Sequence, residues 1–254
     1  MSWASRRRFI ILSIIGGAAL VLLVLVYFFT LHKAPSCSDG IQNQTETGID
    51  CGGACAYLCT ADVQSPTVLF TKAIPNGTGR TDVIASVENV NATAGAKQVP
   101  YTLDLYGANQ VLVKEVTGTL DLPPSSSVPV FIPGITSGNQ SVVRAFLTIA
   151  GSAPKWYVVT NDSRIVPVVS NTKLGGSPSS PRIDAMLTNS SVSILSDVRA
   201  VAMVRDESGE VIAASQTIVP AIPPQGQSTA TFTWNSPFSK TPASIEIVPV
   251  IPLP

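Results

Sequence analysis

The sequence predicts an all-β ectodomain of two tandem immunoglobulin-like β-sandwiches, preceded by a single transmembrane helix and a small disulfide-rich segment. Three observations predict it. An uncharged apolar run, Phe9 to Leu31, is followed almost at once by all four cysteines, which fall within 23 positions. Beyond them the chain alternates apolar and polar residues with the period of two that marks half-buried strands. Two of these strand-rich stretches can be laid over each other at an offset of 100 residues.

Residues 1–8 form a basic flank and 9–31 the helix. The run "FIILSIIGGAALVLLVLVYFFTL" would reach ~34 Å as a helix, enough to cross a ~30 Å hydrocarbon core. A cleavable signal peptide is the competing reading. The run is longer than a signal h-region of ~7–15 residues, and no A-x-A-like site follows it. Tyr27, Phe28 and Phe29 suit the outer interface, and Arg6, Arg7 and Arg8 hold the N-terminus inside. The expectation is a single-pass protein of the cell membrane, contacting the lipid bilayer through residues 9–31. Its N-terminus is then cytoplasmic and its C-terminal domains extracytoplasmic. Gly16-Gly17 and Ala18-Ala19 would admit a second helix, as small residues commonly do. The single histidine, His32, reads as an interfacial flank.

Residues 32–63 form a Cys-rich collar. Outside the membrane Cys37, Cys51, Cys55 and Cys59 should persist as disulfides. Four cysteines allow three pairings, and spacing does not choose among them. A zinc site is the alternative, since Cys-x3-Cys-x3-Cys can converge, but it has no histidine to help it. So short a segment cannot bury a useful core, and cross-links must replace one. Asp39, Asn43, Glu46 and Asp50 offer oxygen ligands in a Gly-punctuated loop, as a calcium site would. Ile41 occupies a position where an EF-hand needs a ligand. The competing reading is that these residues make turns through their own side chains. No cofactor other than this possible calcium is expected.

The string Asp39-Gly40-Ile41-Gln42-Asn43-Gln44, followed by Glu46-Thr47-Gly48-Ile49-Asp50-Cys51-Gly52-Gly53-x-Cys55, resembles a cysteine motif of bacterial surface proteins. It reads C-x-D-G-x-x-N-x-x-E-T-G-x-D-C-G-G-x-C, and is similar to that of membrane-anchored envelope proteins of genome-reduced bacteria. The resemblance implies an address and a layout. It implies no reaction.

The ectodomain divides into residues 64–160 and 161–254, with the join near "GSAPKWYVVTNDS". In "VPYTLDLY", Val99, Tyr101, Leu103 and Leu105 share one face; in "STATFTW", Ala230, Phe232 and Trp234 do. "VVRAFLTI" groups Val143, Ala145, Leu147 and Ile149. At the offset of 100, Val83, Ala85, Val87 and Asn89 fall on Ile183, Ala185, Leu187 and Asn189. Val111 falls on Val211, Leu122 on Ile222, and Pro123-Pro124 on Pro223-Pro224. One extra residue then brings Phe131 onto Phe232. Each copy offers about seven strands, as an immunoglobulin-like sandwich requires. Trp156 is expected either between the domains or buried within a strand. The order of elements resembles the FxLYD family of extracytoplasmic sandwiches: Leu103-Asp104-Leu105-Tyr106-Gly107 stands at the signature, and Asp206 and Gly209 keep its turn.

Function classes can be narrowed. Basic and acidic residues number 16 each, but three arginines precede the apolar run, so the remainder is mildly acidic. That excludes the basic patch which nucleic-acid binding needs. No G-x-S-x-G elbow, phosphate-binding glycine loop or His-rich metal motif occurs, and the chain is expected not to be an enzyme. Glu115, Asp121, Asp206 and Glu207 read as solvated faces and turns. Sequons at Asn43, Asn76, Asn91, Asn139, Asn161 and Asn189 read as loop markers. The leading expectation is a non-enzymatic cell-envelope protein that binds an unidentified envelope or surface protein through its immunoglobulin-like domains. The alternatives are a passive spacer and a calcium-dependent adhesive module. A long exposed apolar patch would favour binding, and uniformly polar faces the spacer.

Overall fold

The computed structural model describes residues 3–31, 35–77, 79–138, 140–149 and 154–254. His32, Asn139 and the first residues of the expected join, 151–153, lie outside the described residues. The chain forms two compact units, Met1–Cys59 and Thr60–Pro254.

In the first unit, helix α1 (Trp3–Val26) continues through a wider π-type turn, Tyr27–Leu31. Its apolar side chains are exposed on every side, from Phe9 and Leu12 to Leu23 and Phe28. A helix apolar all round needs an apolar surrounding. Among the described residues none of the helix is buried, and it is long and apolar enough to cross a membrane.

The collar is closed by two interleaved disulfides, Cys37–Cys55 and Cys51–Cys59. All four sulfurs are thereby used, so no thiolate remains for zinc, and that alternative is corrected. Asp39 accepts from the Ser36 and Ile41 amides, and Asp50 accepts from the Gly40 amide with both oxygens. Gly52 and Gly53 both adopt positive φ. A Cβ on Gly52 would lie 1.9 Å from Thr47 Oγ1, and one on Gly53 1.8 Å from the Thr45 carbonyl oxygen. The paired glycines are therefore a requirement of the knot's tightest crossing. Gly53→Ala should leave free thiols after oxidation, detectable by mass shift on alkylation, where the parent shows none. Complete oxidation of the variant would refute this account.

The second unit holds thirteen strands among the described residues. They are β1 (Thr67–Pro75), β2 (Arg80–Asn89), β3 (Ala94–Gly107), β4 (Leu112–Leu122), β5 (Ser126–Thr136), β6 (Val142–Ile149) and β7 (Trp156–Val158), then β8 (Val168–Ser177), β9 (Ser180–Thr188), β10 (Leu195–Arg205), β11 (Val211–Ile222), β12 (Gln227–Thr233) and β13 (Ser244–Val250). In the first half, sheet β1-β2-β5 faces sheet β4-β3-β6; in the second, β8-β9-β12 faces β11-β10-β13. The two halves repeat one topology strand for strand. The first half has seven strands counting the short β7, as expected, and the second has six. β7 pairs with β3 as well, and there Trp156 is buried as a strand residue.

Pairing fixes the register of the repeat. Val83 lies opposite Ile132, as Ile183 lies opposite Phe232. Ile132, not Phe131, is thus the counterpart of Phe232, and the extra residue expected in the second copy before Phe232 is not there. Tyr106 lies opposite Leu112, as Arg205 lies opposite Val211. Leu112, not Val111, is thus the counterpart of Val211. The matching of like residues misplaced both, because an apolar residue stands at each of the two neighbouring positions and only one of them satisfies the pairing.

The expected inward faces are buried. Val99, Leu103 and Leu105 fill the first sandwich, while Ala230 and Phe232 join Ile183, Leu187, Ala200 and Ala202 in the second. Val143 departs from its group and is exposed, beyond an irregularity in the β3–β6 pairing. β2 and β10 are buried on both faces. Ile84 on β2 packs with Val201, Met203, Val211 and Ala214 of the second half, and Phe70, Ile74 and Phe131 surround this cluster. Sheet β1-β2-β5 therefore lies face to face on sheet β11-β10-β13, and the unit is a stack of four β-layers.

One side chain fixes each copy in the same way. Asn89 and Asn189 are fully buried. Asn89 Nδ2 donates to the carbonyls of Ala94, Leu122 and Pro123, and Asn189 Nδ2 to those of Ser193, Ile222 and Pro223. Their Oδ1 atoms accept from the amides of Asn91 and Ser191. Each asparagine pins the Pro-Pro turn to the loop after its own strand, supplying partners for carbonyls that the sheet leaves unpaired.

Candidate interaction surfaces

The collar carboxylates come first. Besides the turn bonds already given, Asp39 Oδ2 accepts from Asn43 Nδ2, and Glu46 Oε2 accepts from the Asn43 amide. Asn43 Oδ1 is buried without a hydrogen-bond partner. Glu46 Oε1 lies 3.2 Å from Cys55 Sγ. A disulfide sulfur carries no proton, so this is a contact and not a hydrogen bond. Among the described residues, the one convergent cluster of metal-ligand types is Cys37, Glu46 and Cys55, two of which are bonded to each other. Of the collar carboxylates Glu46 alone belongs to it, and Asp39 and Asp50 do not. Each instead holds backbone amides of a turn.

Between the two sandwiches runs a cleft of about 600 Å³, bordered by Lys72, Phe131, Glu210, Trp234 and Lys240. Its charges are mutually engaged. Lys72 pairs with Glu210, and Lys240 Nζ donates to Glu210 Oε2 at 2.7 Å and to Asp206 Oδ2 at 2.6 Å. Asp206 Oδ1 also accepts from Ser208 and from the Glu210 amide. The hydrogen bond from Lys240, then that from Ser208, holds the Asp206 carboxyl far below the ordinary carboxylate range, and Asp206 and Glu210 raise Lys240 in turn. The expectation that Asp206 is a solvated turn residue is corrected: it is buried and anchors the loop 234–243. Asp121 is likewise engaged, accepting from the amides of Gln98 and Leu253. A second groove of about 480 Å³ opens on the same interface. There Arg164 is committed to Asp162 and to the Ile251 carbonyl.

The two outermost faces of the stack differ in kind. On sheet β8-β9-β12, Asp184 Oδ1 accepts from Thr231 Oγ1 and Arg182 Nε, and threonines at 229, 231 and 233 line β12. The bonds from Arg182 and then Thr231 hold the Asp184 carboxyl below its usual range. This face is largely polar, with Val168 and Met186 the apolar side chains on it. On sheet β4-β3-β6, Asp104 stands between Glu115 and Phe146, and Tyr106 between Leu112 and Arg144. Phe146, Val143 and Leu112 are about half exposed. The Tyr106 and Phe146 rings meet edge to face at 5.9 Å. A cavity of about 370 Å³ opens beside them.

Asn189, a predicted sequon, is fully buried, and the amide nitrogens of Asn43, Asn76 and Asn91 donate to neighbouring oxygens. Sequence reasoning did not single out Tyr106, Phe146 or Leu112 as a surface group. The outward alternation of "TLDLY" and "RAFLT" carried the signal, but an outward aromatic alone does not reveal its neighbours on other strands.

No protein family matches the chain by sequence, and no curated protein does. Among solved structures, red sea bream transglutaminase aligns at 13% identity and a TM-score of 0.24, over 74% of this chain and 32% of that enzyme. The chain thus spans about a third of that enzyme's length.

Proposed function

We propose that this chain is a non-enzymatic, membrane-anchored envelope protein that binds another protein through the free face of its first sandwich. The N-terminal helix holds it in the bilayer, with the arginine flank inside and the sandwiches outside, as the distribution of charge favours. One observation carries the reading. The repeat uses one kind of face twice: on the second sandwich, sheet β11-β10-β13 is covered by a neighbouring sheet through Ile84 and Phe131. On the first, the equivalent sheet β4-β3-β6 stands uncovered among the described residues, with Tyr106, Phe146, Val143 and Leu112 grouped on it. Exposed apolar groups rimmed by charge are the usual mark of an interaction surface. A passive spacer would present the largely polar, mutually bonded chemistry of sheet β8-β9-β12 at both ends.

The test places a photo-crosslinking amino acid at Phe146 or at Thr231 of the full-length protein in intact cells. An adduct at 146 and none at 231 supports binding through this face. No adduct at either position favours the spacer.

A further inference from the structure

We infer that the free β4-β3-β6 face recognises a basic side chain, specifically an arginine presented by a surface of a different protein; this rests on the binding reading above. Asp104 Oδ1 is buried and has no hydrogen-bond partner. An orphaned carboxylate oxygen is costly, and natural structures seldom leave one without a missing donor to explain it. Asp104 lines the 370 Å³ cavity together with Tyr106 and Phe146. A guanidinium suits that combination, because its planar fork pairs with a carboxylate while its face stacks on aromatic rings.

The covered twin of this face shows what its occupant replaces. By strand pairing, Asp104 is the counterpart of Met203, Thr102 of Val201, Glu115 of Ala214 and Tyr106 of Arg205. Where the second sandwich meets its neighbour through Met203 and Val201, the first offers a carboxylate. At the inner interface a cation and a ring already meet, with Arg205 lying 5.2 Å from the Phe70 centroid. The free face inverts that arrangement and supplies the ring, Tyr106.

A second copy of this chain fits poorly. Continuing the stack would bring the free β8-β9-β12 sheet onto β4-β3-β6. The residue there equivalent to Ile84 is Asp184, whose neighbour Arg182 is already bonded to it. Carboxylate would then meet carboxylate. Arg144 of the chain itself lines the cavity but forms no ion pair with Asp104 among the described residues.

The experiment uses the full-length protein in detergent micelles with 4-fluorophenylalanine at position 146, titrated with N-acetyl-arginine methylamide and with its neutral citrulline analogue. The arginine compound should shift the fluorine resonance saturably and bind at least tenfold more tightly than citrulline. Asp104→Asn should remove that preference, and Arg144→Gln should preserve it. Equal binding of the two compounds, no saturable shift, or a preference that survives Asp104→Asn would overturn the inference. So would concentration-dependent self-association in sedimentation that Asp104→Asn abolishes, since the occupant would then be a second copy. A crosslink from position 146 in cells without arginine preference leaves the binding reading standing and removes only this one.

Discussion

Asn189→Asp should destabilise the ectodomain by about 3–5 kcal/mol, although it changes one NH₂ group for one oxygen. Asn189 Nδ2 donates to three carbonyls, those of Ser193, Ile222 and Pro223. An aspartate in its place has no proton to give, leaves those acceptors unpaired and turns a buried negative oxygen toward them. Each buried polar group left without a partner costs about 1–3 kcal/mol, more where a charge is involved. Asn89→Asp should behave alike, because its bonds to Ala94, Leu122 and Pro123 repeat the arrangement. The control is Asn161→Asp, at an exposed position, which should stay within about 0.5 kcal/mol of the parent. Urea midpoints of the full-length protein in detergent would read all three. If Asn189→Asp unfolded with the control, the pinning role assigned to these asparagines would be wrong.

Much of the fold was legible because strands buried on one face print their period on the sequence. "VPYTLDLY" and "STATFTW" alternate as they do because Leu103 and Phe232 face a core while their neighbours face outward. The repeat was legible too, and the alignment of Asn89 with Asn189 was right without revealing why it mattered. A side chain's burial depends on what later strands bring to it, and Pro123 lies 34 residues beyond Asn89. The four-layer stack left a fainter trace. "DVIASV" and "VRAVAMVR" lose their alternation where a second apolar face begins, at Ile84 and at Val201 and Met203. A short continuous apolar run reads equally as a noisy strand or as one covered on both sides. Local spacing recognised the Asp206 turn but missed its burial, because Lys240 arrives from the far loop between β12 and β13. In the collar the sequence favoured turns over cation binding for the carboxylates, without showing which groups they hold. Only the backbone shows that Asp39 and Asp50 are aimed at the amides of Ser36, Gly40 and Ile41.

The layered arrangement makes its own demand on stability, tested most severely at Ile84. This residue is completely buried, yet it contributes to the seam between the sandwiches, packed with Val201, Met203, Val211 and Ala214. Two sandwiches sharing such a seam should unfold as one cooperative unit, whereas two modules on a linker would unfold independently. Ile84→Asp places an unpaired carboxylate in the seam and should cost about 4 kcal/mol or more. It should also split the single transition in two, because the core of each sandwich, Leu103 with Leu105 and Leu187 with Phe232, is left intact. The mirror experiment is available in the same chain. Asp184 occupies the equivalent place on the outermost sheet, where Arg182 and Thr231 hold it in solvent-facing bonds. Asp184→Ile removes only those exposed interactions, so its effect should stay within about 1 kcal/mol. The same pair of residue types exchanged at equivalent positions should therefore differ several-fold in cost, and the difference measures the burial between the layers. Two transitions already present in the parent, or equal costs for the two exchanges, would mean that the seam contributes little and that the sandwiches stand as independent modules.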